Sequence, residues 1–226
     1  MSLIAFSHVS KRFGDKTVLK DITFDVEKGE CLALLGRSGC GKSTLLKILL
    51  GLYKADSGSI TYAGKRIDNT ALRQLTGYTS QENSFYDTLT VQENIFYYAA
   101  RMRASIDFKK AFELARSVRL DTALDTLAGR LSGGMKRRLD FALSLVHDPA
   151  LLILDEPTTG LDPMLVEAFW KLVDEMREKG KTVIVVTHHL EDVKKHCDRA
   201  VILKEGKVGH IVFEVEKVVP DFRRLA

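Results

Sequence analysis

The chain has 226 residues, 45% hydrophobic and 28% charged, enough for one large α/β domain or two lobes around a cleft. Lys and Arg number 34 against 30 Asp and Glu; the formal charge of +4 is too small and too scattered to argue for a nucleic-acid partner. Cys31, Cys40 and Cys197 form no CxxC pair and read as free thiols of a reducing compartment. The first residues lack the apolar core of a signal peptide, and no apolar run nears the roughly 18 residues of a membrane span, so a membrane would enter only through a partner.

In chain order, β-branched or leucine-rich runs predict strands at 3–9, 18–26, 31–35, 58–62 and 77–79, with a helix at 42–51. From 83 to 147 the strand signal disappears, and 91–103, 108–118 and 133–147 read as amphipathic helices. Strands return at 151–154, 182–186 and 200–204, alternating with helices at 163–179 and 190–197. This pattern predicts an α/β fold, a mostly parallel sheet covered by helices, with a helical lobe inserted into it. The tail after Val208 is too short for a further domain.

The chemistry starts after the third strand. Gly36-Arg37-Ser38-Gly39-Cys40-Gly41-Lys42-Ser43-Thr44 fits GxxxxGK[ST] between a strand and a helix, the context a phosphate-binding loop requires. Its glycines let the backbone approach an anion, which then meets N–H groups and a helix N-terminus. Lys42 is suited to the β- and γ-phosphates and Ser43 to Mg²⁺. Downstream, Leu151-Leu152-Ile153-Leu154 runs into Asp155-Glu156, two acids at the C-terminal end of a central strand, where open α/β sheets bind ligands. Asp155 is placed to hold the Mg²⁺ shell and Glu156 to polarise the attacking water as general base.

Leu131-Ser132-Gly133-Gly134-Met135 opens the next predicted helix. Serine followed by two glycines at a helix N-terminus suits a phosphate, although any helix can begin with such a cap. A second phosphate-gripping segment in one chain is puzzling unless it serves another nucleotide. The segment resembles the signature of ATP-binding cassette (ABC) ATPases, and other motifs match in family order. Gln81 resembles the Q-loop glutamine, a Mg²⁺ and water contact; His188 the switch histidine on the γ-phosphate, with His189 a bystander; Asp162 the D-loop acid; Phe13 the aromatic that stacks on adenine. Phe13 replaces the commoner tyrosine, Met135 replaces glutamine, and Leu143 stands where many relatives have arginine.

The resemblance implies a single ABC ATPase domain over 1–226: a RecA-like P-loop NTPase core with an N-terminal antiparallel β subdomain at 1–82 and 148–226, and a helical signature subdomain at 83–147. It implies ATP and Mg²⁺ as cofactors, a second cassette packed head to tail, by default a homodimer, with Ser132, Gly133 and Gly134 acting in trans, and separate transmembrane permease subunits. The chain would lie peripherally on the cytoplasmic face of the membrane. The run Met135-Lys136-Arg137-Arg138 and the Glu156–Pro163 segment favour an exporter. The competing expectation is a soluble ABC ATPase on a partner such as an iron–sulfur scaffold. Among the aromatic positions 85–98, Phe85 and Tyr86 are candidates for a groove that receives the membrane partner, whereas Phe96 and Trp170 are expected in the core. Lys136-Arg137-Arg138 is expected to be a solvated helix face.

Overall fold

Residues 2–67 and 69–212 are described by the computed structural model. In chain order they form β1 (Ser2–Phe13), β2 (Lys16–Glu27), β3 (Cys31–Leu35), α1 (Lys42–Leu49), β4 (Ser57–Tyr62), β5 (Lys65–Arg66), α2 (Asn69–Leu75), β6 (Thr76–Thr79), α3 (Val91–Arg101) and α4 (Phe108–Ser117). There follow α5 (Gly133–Leu145), β7 (Leu151–Asp155), α6 (Pro163–Glu178), β8 (Thr182–Val186), α7 (Leu190–His196), β9 (Arg199–Lys204) and β10 (Lys207–Val212). The part of the expected C-terminal tail beyond residue 212 lies outside the described residues. Two compact units emerge, one running up to Arg73 and resuming at Gly180, the other Gln74–Lys179.

The first unit carries an antiparallel sheet in the order β2-β1-β4-β5 and the strand run β10-β9-β3-β8. Strands β3 and β8 are buried at every residue, and β3 pairs in parallel with both β8 and β9. That is why their sequences are unbroken apolar runs rather than alternations. Strands β5 and β10 and helix α2 are missing from the sequence-based reading. Strand β5 has two exposed residues, and β10 is a mostly exposed strand with Lys and His among its residues, so neither shows apolar alternation. What makes them is turn chemistry: Ala63-Gly64 and Glu205-Gly206 have φ of 47° and 77°, and 49° and 80°, the left-handed pairs of tight hairpins. Helix α2 is short, and its Arg73 donates to the carbonyls of Leu50 and Gly51 past the end of α1, at 3.3 and 2.8 Å.

The second unit holds the parallel pair β6–β7 with helices α3 to α6. Helix α3 starts on a reciprocal Thr90–Glu93 capping box. Phe141 of α5 meets Phe169 of α6 edge-on at 5.3 Å, and Trp170 is buried, as the sequence predicts. Gly77 lets β6 approach α5, since a Cβ there would run into the Ser144 carbonyl. Among the described residues no helix is long and apolar enough to cross a membrane.

Candidate functional site

In the first unit the buried strand β3 delivers the chain into the glycine loop, and α1 leaves it. Gly36, at φ 148°, could carry no side chain: a Cβ would lie 2.5 Å from the Leu203 carbonyl oxygen and 2.6 Å from Cys40 Sγ. Gly41, at φ 114°, is the N-cap of α1, and no side-chain hydrogen bond caps that helix start. Its exposed neighbours Arg37, Ser38 and Gly39 form the loop rim, while Cys40 is buried beneath it. Lys42 folds back, its Nζ donating to the carbonyls of Gly36 at 2.6 Å and Arg37 at 3.2 Å. The ammonium is thereby held at the loop, beside N–H groups of a helix start, the arrangement that receives an anion. Ser43 is exposed and Thr44 half-buried in the first turn of α1. A hollow of about 300 Å³ opens against Arg37, Gly39 and Cys40, closed on its other side by Leu203 and Lys204 at the end of β9 and by Glu205 just after it.

Phe13 ends β1, 44% exposed, with Tyr53 edge-on at 5.4 Å and Lys11 Nζ 5.4 Å from its ring centre. Asp56 fixes this strand end, accepting from Lys11 Nζ at 2.8 Å and the Arg12 N–H at 2.6 Å. These bonds hold its carboxyl below the ordinary value. Tyr53 carries no motif, so its place beside Phe13 had no signal in the sequence. His188 and His189 follow the buried strand β8, both exposed, their rings 4.2 Å apart; His189 is the N-cap residue of α7 and its N–H donates to Thr187 Oγ1.

In the second unit β7 is buried from Leu151 to Leu154, and Asp155 and Glu156 emerge half-buried at its C-terminal end. Tyr78 of the neighbouring strand β6 donates its hydroxyl to Asp155 Oδ2 at 3.2 Å. Burial and the Asp155 charge raise the Tyr78 phenol well above its ordinary value, which keeps it a donor. Glu156 has φ 49°, a left-handed conformation that costs a non-glycine residue about 1–2 kcal/mol and is further disfavoured before Pro157. Gln81 is exposed just beyond β6.

Ser132 is the N-cap of α5, its hydroxyl accepting from the Met135 N–H at 3.4 Å, and Ser132 and Gly133 are exposed. Gly134 is buried because α6 packs on it: a Cβ would lie 2.6 Å from Leu165 Cδ2. A Cβ on Gly133 would meet nothing within 4 Å among the described residues. Asp162 caps α6, accepting from the Leu165 N–H at 3.0 Å, and Pro163 takes the first helical position.

The expected solvated face 136–138 is corrected by the structure. Arg137 is buried, 6% exposed, and Arg138 half-buried, with its guanidinium donating to the Arg119 and Gly134 carbonyls. Arg137 donates to the carbonyls of Ser80 and Pro157, both at 2.6 Å, and to those of Glu156 at 3.2 Å and Asp155 at 3.4 Å. Its carboxylate neighbour Asp140, 3.6 Å away and raised above its ordinary value by burial, accepts from the N–H and hydroxyl of Ser84. Helical spacing held the signal: Gly134, Arg137, Phe141 and Ser144 recur three or four residues apart on the buried face. Of the aromatic stretch, Tyr86 and Tyr97 are exposed and joined hydroxyl to hydroxyl at 3.1 Å; Phe85 and Phe96 are half-buried, so Phe96 sits less deeply than expected.

A strand–glycine loop–helix unit, a paired-acid strand and a second glycine-led helix start define an ATP-binding cassette. The chain belongs to the ABC transporter family, which matches residues 19–159. It is 40% identical over 208 residues to the Nod factor export ATP-binding protein I of Burkholderia orbicola, covering 90% of this chain and 68% of that protein. To the protein of the same name from Rhizobium etli it is 38% identical over 211 residues, 92% of this chain and 67% of the other. Among solved structures, cbiO1 from Clostridium perfringens, part of the ABC transporter complex cbiONQ, superposes with a TM-score of 0.87 at 30% identity, covering 99% of this chain and 92% of that one. The chain is thus an ABC-type ATP-binding subunit of a transporter, and family membership implies ATPase activity.

Proposed function

We propose that this chain powers an export system as one of two identical cassettes that close head to tail on ATP and part after hydrolysis. The observation that carries this reading is the pair of glycine-led helix starts. The one at Gly41 is shaped by its own chain, whereas the glycine at 133 answers no packing demand among the described residues. An exposed helix start that carries no side chain at its first position suits a phosphate brought by a second copy. The export direction is supported by the export proteins to which the chain is similar.

In this scheme Gly36 to Thr44 cradle the phosphates, Lys42 neutralises them, and Phe13 stacks on adenine, a contact worth about 1–3 kcal/mol. Ser43, Gln81 and Asp155 each carry an oxygen ligand of the kind Mg²⁺ takes, and the ion would supply charge neutralisation of the phosphates. Tyr78 holds Asp155 oriented for that duty. Glu156 accepts a proton from the attacking water, His188 steadies the γ-phosphate, and Ser132, Gly133 and Gly134 complete the partner's site, with Asp162 at the joint. Catalysis is then positioning and charge stabilisation assembled on closure. Separate permease subunits would engage the exposed Tyr86–Tyr97 pair, which holds the chain at the cytoplasmic membrane face.

The Glu156→Gln variant tests the scheme. It should bind ATP as the unaltered chain does, lose turnover by at least about a hundredfold, and elute as a dimer with ATP but not with ADP. A variant that stays monomeric with ATP, or that turns over normally, would sink it.

A further inference from the structure

We propose that Arg137 is a positioning residue for hydrolysis, fixing the backbone that carries Glu156 and the segment entering Gln81. The inference rests on the assignment of Glu156 as general base and deepens that reading.

Glu156 occupies a left-handed conformation that its side chain and the following proline both oppose. Such a conformation persists only where the surroundings over-determine it. Thr159 supplies part of those surroundings, its N–H donating to the Glu156 carbonyl at 3.3 Å and its hydroxyl to Glu156 Oε2 at 3.4 Å, and one guanidinium spans the rest of the segment. Arg137 donates to the carbonyls of Asp155, Glu156 and Pro157, that is, to the residue before the strained one, the strained one itself and the one after it. Its remaining arm reaches the Ser80 carbonyl, immediately before Gln81. A planar fork of five N–H donors in rigid geometry can serve carbonyls from two segments at once; an ammonium cannot match that layout. The charge sits in a buried place, balanced by Asp140 at 3.6 Å, itself held by Ser84, and by the charge of Asp155. The ring of Phe169 lies 6.0 Å from the guanidinium carbon.

Position along the helix adds a consequence. Ser132 caps α5, and Arg137 lies on the same helix about 7.5 Å farther along its axis. The group offered to the partner's nucleotide and the group that shapes this chain's own base are therefore parts of one rigid rod. Any displacement of the Ser132 end on closure is delivered to the carbonyls around Glu156 without an intervening loop. Both duties fall in one compact unit, so the brace is complete within residues 74–179.

The experiment uses the full chain with Arg137→Ala and Arg137→Lys, each also combined with Glu156→Gln. Steady-state ATPase activity, ATP affinity by nucleotide titration, ATP-dependent dimer formation and thermal melting are measured together. Arg137→Ala should lower kcat by about tenfold to a hundredfold, the scale of a misplacement near 1 Å, with ATP affinity changed by less than about threefold. Arg137→Lys should recover part of the loss, and free guanidinium added to Arg137→Ala should recover part of it as well. The double variants should still dimerise on ATP. A kcat within about twofold of the unaltered chain for both single variants overturns the proposal. So does a loss that neither lysine nor guanidinium relieves while ATP affinity falls in step with it. If Arg137→Ala does not fold, a folded Arg137→Lys with full kcat overturns it, and one with lowered kcat and unchanged affinity supports it. Failure of the parent reading has another signature: Glu156→Gln alone, with Arg137 intact, keeps its turnover.

Discussion

Two helices of this chain begin with glycines, and they begin for opposite reasons. At α1 the glycines are dictated from inside. Gly36 is hemmed in by the Leu203 carbonyl and Cys40 Sγ, and a Cβ on Gly41 would lie 2.6 Å from Leu19 Cδ2 and 3.2 Å from the Val18 carbonyl oxygen, both glycines being at positive φ. At α5 the start is an ordinary serine cap, Gly134 answers to Leu165, and Gly133 stands in open space among the described residues. A loop that must hold its shape before any ligand arrives needs glycine for its own backbone. A surface that must let another body approach needs glycine for what comes later. On the proposed head-to-tail scheme, the contrast separates a preformed anion cradle from a half-site awaiting its counterpart.

The largest expected effect comes from forcing a methyl into the first start. Gly36→Ala should cost about 2–4 kcal/mol of stability, from a left-handed φ and a clash with backbone that cannot retreat, and ATP binding should vanish with it. Denaturant midpoints and a nucleotide titration check both. A Gly36→Ala protein of unchanged stability that still binds ATP would erase the distinction between the two starts.

Smaller by severalfold is Ser132→Ala. The cap bond to the Met135 N–H is long, 3.4 Å, so its removal should cost about 0.5–1 kcal/mol, the low end for an N-cap. Turnover should fall by more than that instability explains, because the proposed scheme also gives the hydroxyl a contact with the partner's nucleotide. A loss of activity that merely tracks the melting temperature would reduce Ser132 to a cap.

The same contrast explains what could be read from the sequence. The phosphate loop, the paired acids and the signature are contiguous, and each sits where one strand or helix ends, so local pattern reveals both the motif and its placement. The bounds of β3 and β8 match because a strand buried on both faces is written as an unbroken apolar run. What stayed hidden joins distant residues. Arg137 reaches Ser80, 57 positions away, and Tyr78 reaches Asp155 across 77. Neither partner changes the local pattern around the other. The Lys136–Arg138 run shows how composition misleads: three basic residues suggest a wet face, yet a helix turns Arg137 inward while Lys136 stays half-buried at the side.

The smallest expected effect is also the sharpest, because its two readouts should move in opposite directions. Gly133 lies outside the left-handed region, at the first position of α5, and nothing described stands within 4 Å of a Cβ built there. Gly133→Ala should therefore stabilise the isolated chain by about 0.5 kcal/mol, through lost freedom of the unfolded state and better helix propensity. In the Glu156→Gln background the same methyl should weaken ATP-driven dimer formation, since it occupies the space that the proposed scheme gives to a partner's phosphate. A change inside a packed core would lower both quantities, and a change on an idle surface would alter neither by much. Raised melting temperature with impaired association is the outcome expected only of a half-site. If Gly133→Ala is more stable and associates at full strength, α5 begins with glycine for no reason connected to nucleotide, and the head-to-tail pair loses its structural support.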